Sequence, residues 1–210
     1  MTNDLDFSFG IITVGKEDQR INEIIDSIEN ELIPNYEVVI VGNSNIKRNK
    51  TTVIPFEDKT ELPWITKKKN IITENSQYEN IVYLHDYIKL CSGWYLGYLN
   101  FGNDFAVCMN KIENLDGTRF RDWCIFGAVI PYEIAEARIH NIIYYSGSYW
   151  VAKKKVMIEI PQNESLFYGQ AEDYDWSDRI RKKYKFSLNL NSTVQLMKQK
   201  SAILPFWDIK

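Results

Sequence analysis

Ile81-Val82-Tyr83-Leu84-His85-Asp86-Tyr87 is the stretch whose reading decides the fold. Its first four residues are β-branched or apolar and read as a buried strand, and the run stops abruptly at an imidazole and a carboxylate. Open α/β sheets place their ligand chemistry at the carboxyl ends of strands. That position makes Asp86 the leading candidate for a metal ligand, with His85 beside it. The same pair also suits the start of a solvated turn, so the rest of the chain has to decide.

Working back from this strand, the helix before it is expected over about Trp64 to Glu74, opened by Pro63 and carrying Lys67, Lys68 and Lys69 near its middle. A lysine run of that kind is ordinarily a solvated face. Thr52 to Phe56 reads as a strand whose Pro55 places it at or near a sheet edge. Tyr36 to Val41 is a second strand closing in the turn composition Gly42-Asn43-Ser44-Asn45. Ile21, Ile24, Ile25, Ile28 and Leu32 keep the spacing of one helix face. Phe7 to Val14 is a first apolar strand. Strand, helix and strand in this order form a βαβ unit, with a right-handed crossover and parallel strands.

Working forward, Trp94, Tyr98 and Phe101 share a helical face, and Phe105 to Met109 is a strand. Asp116-Gly117 signals a turn. Trp123 to Ile130, Tyr144 to Val151 and Ser187 to Leu196 each read as a strand, and Glu172 to Tyr184 as a helix. Trp94, Tyr98, Trp123, Tyr149 and Trp150 suit a core, and Trp123 and Tyr149 also suit stacking on a sugar. His140 reads as a surface or packed histidine.

The bulk numbers are those of an ordinary soluble domain. The chain has 210 residues, 45% hydrophobic and 25% charged, so one good-sized domain is expected over 1–210. A formal net charge of −3 argues against a nucleic-acid partner, which needs a cationic excess. Cys91, Cys108 and Cys124 are odd in number and widely spaced, which suggests reduced thiols and a cytoplasmic location. No run is long and apolar enough to span a bilayer, so no membrane span is expected.

Gly169-Gln-Ala-Glu172-Asp173-Tyr-Asp175-Trp-Ser-Asp178-Arg179-Ile-Arg181 is the most specific stretch in the sequence. It resembles the Glu-Asp element of family 2-like glycosyltransferases of GT-A fold, in which two acids precede an amphipathic helix with arginines. Taken as plain chemistry, the same acids suit the first turn of a helix, and Asp175-Arg179 and Asp178-Lys182 are i,i+4 pairs. His85-Asp86 looks like a reduced form of that family's Asp-x-Asp metal motif. The text is also similar to the N-terminal glycosyltransferase domain of a large chlorovirus-encoded protein. That likeness implies a host-cell cytoplasmic setting if the gene is viral, and further domains fused to this one.

The resemblance implies an α/β fold with a Rossmann-like nucleotide-binding half over 1–110, a mixed central sheet, and a smaller antiparallel acceptor-side part within 111–210. It implies that Thr13, Val14 and Gly15, with Asn43 and Ser44, face the uracil of a UDP-sugar. Asn43 stands where the family often has Asp. Lys69-Asn70 matches an Arg-Asn pair near base or phosphate. Asp86 and His85 would hold a divalent cation, Mn²⁺ or Mg²⁺, completed by the diphosphate, and imidazole favours Mn²⁺. Because neither neighbour of Asp86 is an acid, metal affinity without nucleotide should be weak. Asp173 is the expected base for the acceptor hydroxyl of a glycan, with Glu172 second. The expected activity is transfer of a sugar, of hexosyltransferase type. The alternatives are a sugar-phosphate nucleotidyltransferase, for which Gly15-Lys16 is a meagre phosphate loop, and a non-catalytic carbohydrate-binding module.

Overall fold

The computed structural model describes residues 4–15, 17–58, 60–125, 128–132 and 143–201. Strand β1 (Phe7–Ile12), helix α1 (Asp18–Glu29), β2 (Tyr36–Val41) and β3 (Thr51–Ile54) come first. Helix α2 (Ile65–Asn75), β4 (Asn80–His85), β5 (Ile88–Leu90) and α3 (Trp94–Phe101) follow. The remainder comprises β6 (Val107–Glu113), β7 (Trp123–Ile125), β8 (Ala128–Val129), β9 (Tyr144–Tyr145) and β10 (Tyr149–Lys153). Helices α4 (Lys154–Glu159) and α5 (Glu172–Arg181) and the long β11 (Phe186–Leu196) complete it.

Eight strands form one mixed sheet in the order β3-β2-β1-β4-β10-β6-β11-β5, and β8-β7-β9 form a small antiparallel sheet. The first four strands of the large sheet are parallel, as the βαβ pattern requires, and β3 lies at the edge as Pro55 predicts. Strand β4 is the hinge of the topology: it pairs parallel with β1 on one side and antiparallel with β10 on the other. Its residues are buried throughout, which explains the unbroken apolar run.

Helices cover both faces. Gly10 leaves room for α2, since a Cβ there would lie 2.2 Å from Cγ2 of Ile72. Phe7 and Phe9 point the other way and pack on Trp94 of α3, at ring-centroid distances of 5.0 and 5.6 Å. Tyr83 of β4 stacks on Trp150 at 5.0 Å, and Trp150 meets Trp176 of α5 at 5.1 Å. The core therefore runs from α3 through the sheet to α5.

Several expectations need correction. Leu32 is exposed with φ of 53°, because α1 ends before it, so only the four isoleucines form the buried face. The run from Tyr144 to Val151 is two strands in two different sheets, interrupted at Ser146-Gly147-Ser148. The run from Trp123 to Ile130 is likewise divided between β7 and β8, with 126–127 outside the described residues. Strand β5 and helix α4 were not foreseen, being too short to show a period. His140 lies outside the described residues.

The lysine run of α2 is not a solvated face. Lys68 and Lys69 are each 1% exposed. Lys68 Nζ donates to the Thr13 carbonyl at 2.8 Å and to Asp58 at 2.7 Å, while the other oxygen of Asp58 accepts the Trp64 backbone N–H. Asp58 thus satisfies an otherwise unpaired N–H at the start of α2 and neutralises a buried ammonium together.

Candidate active site

The register of β1 with β4 sets Ile12 opposite His85, so the residues that leave the two strands, Thr13 and Asp86, come side by side. Thr13 Oγ1 donates to Asp86 Oδ2 at 2.7 Å and accepts the Gly15 N–H at 3.1 Å. Gly15 has φ of 91°, and a Cβ there would lie 2.7 Å from the Asn43 carbonyl oxygen, so the turn after β1 rests on the turn after β2. Ser44 donates to Asp18 at 2.7 Å and is thereby committed to the start of α1. Thr13, Val14 and Asp86 line a cavity of about 350 Å³, with Arg20 on its wall.

A second cavity, of about 440 Å³, holds Glu172 and Asp173 from the start of α5. His85, Tyr87, Tyr168 and Lys200 line both cavities, which makes them two lobes of one cleft at the carboxyl ends of β1 and β4. The interruption between β9 and β10 lies at the centre. The Gly147 N–H donates to Asp173 Oδ2 at 3.1 Å, and the Gly147 carbonyl accepts Lys69 Nζ at 2.8 Å. One peptide turn thus ties α2 to α5. A Cβ on Gly147 would find Lys69 Nζ and Asp173 Cβ each at 3.5 Å and Glu172 Oε1 at 3.7 Å, so the three side chains converge there.

Burial dominates the electrostatics of this cluster. It pushes the Lys69 ammonium down to about 8, against the opposing pull of Glu172 and Asp173. The ammonium also lies 4.2 Å from the Trp150 ring centroid. Burial raises the Glu172 carboxyl, and Oε2 of Glu172 is buried with no hydrogen-bond partner. A raised carboxyl with an unpartnered buried oxygen in a cleft marks a candidate functional group.

In the lobe that holds Asp86, burial and the neighbouring Lys69 and Lys200 hold His85 well below the ordinary histidine range. The imidazole is therefore neutral, and its Nε2 is buried without a partner. Burial raises the Asp86 carboxyl, partly offset by the Thr13 hydroxyl. An unpartnered neutral imidazole nitrogen next to a carboxylate suits a divalent cation. Among the described residues there is no group of three or more His, Cys, Asp or Glu able to hold one. The donor set fits such an ion as two protein ligands completed by phosphate oxygens and water.

Some predicted residues are not brought to the cleft. Asn70 binds the Gln162 backbone and Glu164 on the other side of α2, in a separate depression, where it anchors the loop ahead of α5. Trp123 and Tyr149 are buried, and Tyr149 is hydrogen-bonded to Trp94 and Asn110, so neither offers a face to a sugar. Asn43 is exposed and backs Gly15, and neither of them lines either cavity. Sequence reasoning missed Tyr87, Tyr168 and Lys200. The signal that was available is Lys198-Gln-Lys200, two lysines at strand alternation just beyond the last strand.

No protein-family model matches the chain. No curated protein matches its sequence. Among solved structures it is similar to the crystal structure of GalNAc-T7 with UDP, GalNAc and Mn²⁺, at TM-score 0.67 and 11% identity, over 96% of this chain and 45% of that one. It is also similar to Staphylococcus aureus TarS 1-349, at TM-score 0.58 and 16% identity, over 94% of this chain and 59% of that one. The chain thus spans about half the length of these structures. The mixed eight-stranded sheet with its small antiparallel companion is the GT-A fold they share.

Proposed function

We propose that this chain is a GT-A glycosyltransferase that moves a sugar from a UDP-linked donor to a hydroxyl of a glycan acceptor. The observation that carries the reading is the single cleft joining Asp86 and His85 in one lobe to Glu172 and Asp173 in the other. Departure of a nucleoside diphosphate leaves negative charge at one end, while the incoming hydroxyl must lose a proton at the other. The two lobes carry groups suited to those two tasks.

In this reading the 1–110 half binds the donor, with Thr13, Val14 and Gly15 along the base and ribose and the Asn43–Ser44 turn behind them. His85 and Asp86 would hold a divalent cation together with the donor's phosphate oxygens. That ion supplies Lewis-acid stabilisation of the leaving diphosphate. Asp173, the less buried of the two acids, takes the acceptor proton, and Lys69, beside Glu172, holds the carbonyl of the Gly147 turn whose N–H positions it. The exposed rings of Tyr168 and Tyr174 on the 440 Å³ lobe suit the apolar face of an acceptor sugar. The GalNAc-T7 structure, crystallised with UDP and Mn²⁺, supports this choice of donor and ion by fold likeness.

Calorimetric titration of UDP, with ADP and GDP as controls, tests the donor assignment. UDP should bind most tightly in Mn²⁺, and Asp86→Ala should remove the metal-dependent part. Equal binding of all three nucleotides, or none of UDP, would overturn it.

A further inference from the structure

The mechanism above leaves unused a set of cations at the waist of the cleft. After β11 the chain is held in place at two points: the Met197 N–H donates to the Tyr87 carbonyl at 2.8 Å, and the Lys200 N–H donates to Asn114 Oδ1 at 3.1 Å. Gln199 turns outward to Asp116. Lys198 and Lys200 turn to the other side, as two-residue alternation requires, and their ammonium nitrogens lie 4.1 and 4.2 Å from the centroid of Tyr87. Lys200 also donates to the Tyr87 hydroxyl at 3.1 Å. Among the described residues neither lysine forms a salt bridge with a carboxylate.

Two ammonium groups held against one ring repel each other, and the partly buried Lys200 also loses hydration, while the exposed Lys198 feels the Asp86 carboxylate without a salt bridge to it. Arg121 lies on the wall of the neighbouring lobe and adds to the same positive field. Lys200 faces both lobes, and Lys198 the donor lobe that contains His85 and Asp86. An anion at the waist would relieve this repulsion, and a diphosphate has oxygens enough to accept from both ammonium groups and still complete the shell of an ion at His85 and Asp86.

We propose that Lys198 and Lys200 form a diphosphate-binding clamp that shares with the divalent cation the task of holding and stabilising the leaving group. This rests on the reading of the cleft as a nucleotide-sugar site and extends it. The cleft therefore binds diphosphate without metal, and the ion adds to that affinity instead of creating it. The positive field also explains the expected weak metal binding before nucleotide arrives, since a cation at His85 and Asp86 would meet two ammonium groups with no phosphate between them.

The test is calorimetric titration of inorganic pyrophosphate and of UDP, each in EDTA and in Mn²⁺. The proteins are the wild type, the double variant Lys198→Gln with Lys200→Gln, and Lys155→Gln as an exposed control remote from the cleft. The expected result is metal-free binding of pyrophosphate to the wild type and the control, weakened about tenfold or more in the double variant. Lys200→Arg, which keeps the charge, should retain most of it. Should the double variant melt early, Lys198→Gln alone, at an exposed position, carries the comparison with a smaller loss. Pyrophosphate binding that requires Mn²⁺, or that is equal in wild type and lysine variants, overturns the clamp. Failure of the UDP reading shows differently: UDP then binds no more tightly than pyrophosphate, and the lysine comparison still stands.

Discussion

Thr13 and Asp86 are 73 residues apart in sequence, and the hydroxyl of one meets the carboxylate of the other at 2.7 Å where two parallel strands end. The same hydroxyl accepts the Gly15 N–H, so one side chain fixes both the candidate metal ligand and the turn beside it. Thr13→Val keeps the shape and removes both bonds. It should cost about 1–2 kcal/mol of stability and weaken UDP binding several-fold. Denaturant titration and calorimetry check this, and an unchanged UDP affinity would show that the latch plays no part in the donor site.

The acid limb of metal-dependent binding should belong to Asp86. Burial raises its carboxyl, so protons compete with a cation at a higher pH than for an ordinary aspartate. His85 is depressed well below its ordinary range, so it adds no limb in that range. Affinity for Mn²⁺ in the presence of UDP should fall as pH drops through the raised Asp86 value. His85→Gln should weaken binding without moving that limb. A limb in the ordinary histidine range that disappears in His85→Gln would refute the assignment.

The reading of Lys69 as partner of the acids has its own sign. Its folded pKa of about 8 lies below the ordinary lysine value because burial outweighs the carboxylates. The unfolded chain therefore binds the extra proton between the two values, and this group's contribution makes stability rise with pH across that window. Glu172→Gln removes a stabilising negative charge, so Lys69 should titrate lower still. NMR of the lysine ε-carbon reads this directly, and an unmoved or raised Lys69 would mean that the pair is not coupled.

Helix α3 lies close on β11 only because position 97 has no side chain. A Cβ at Gly97 would lie 2.4 Å from the Asn191 carbonyl oxygen and 2.3 Å from Ser192 Oγ. The backbone carbonyl cannot rotate aside, so Gly97→Ala should destabilise the fold by about 1–3 kcal/mol although alanine favours helices. Thermal melting measures it, and an unchanged melting temperature would contradict the close approach.

The parts of the fold that can be read from the text are those with a period. The isoleucines of α1 and the apolar runs of β1, β2 and β4 show their period in the sequence because each buries a whole face or strand. The break at Ser146-Gly147-Ser148 does not, because apolar residues on either side enter two different sheets and the pattern carries no mark of the change. Asp86, Glu172 and Asp173 are legible as acids at strand and helix ends. Lys68 and Lys69 look like solvent-facing charge, since their partners, Asp58 and the carbonyls of Thr13 and Gly147, are joined to them only by tertiary structure. Lys198 and Lys200 are concealed for the same reason: nothing local shows that the residues after β11 return to Tyr87.

The most direct test of the central claim is release of UDP from a panel of UDP-sugars in Mn²⁺, with a glycan mixture as acceptor, by the wild type, Asp86→Ala and Asp173→Asn. The wild type should release UDP from at least one donor. Asp86→Ala should lose metal-dependent donor binding along with turnover. Asp173→Asn should still bind UDP while its turnover falls by about 10²–10⁴, the worth of a positioned base. Release by Asp173→Asn at the wild-type rate, or no release from any UDP-sugar by the wild type, would contradict the account.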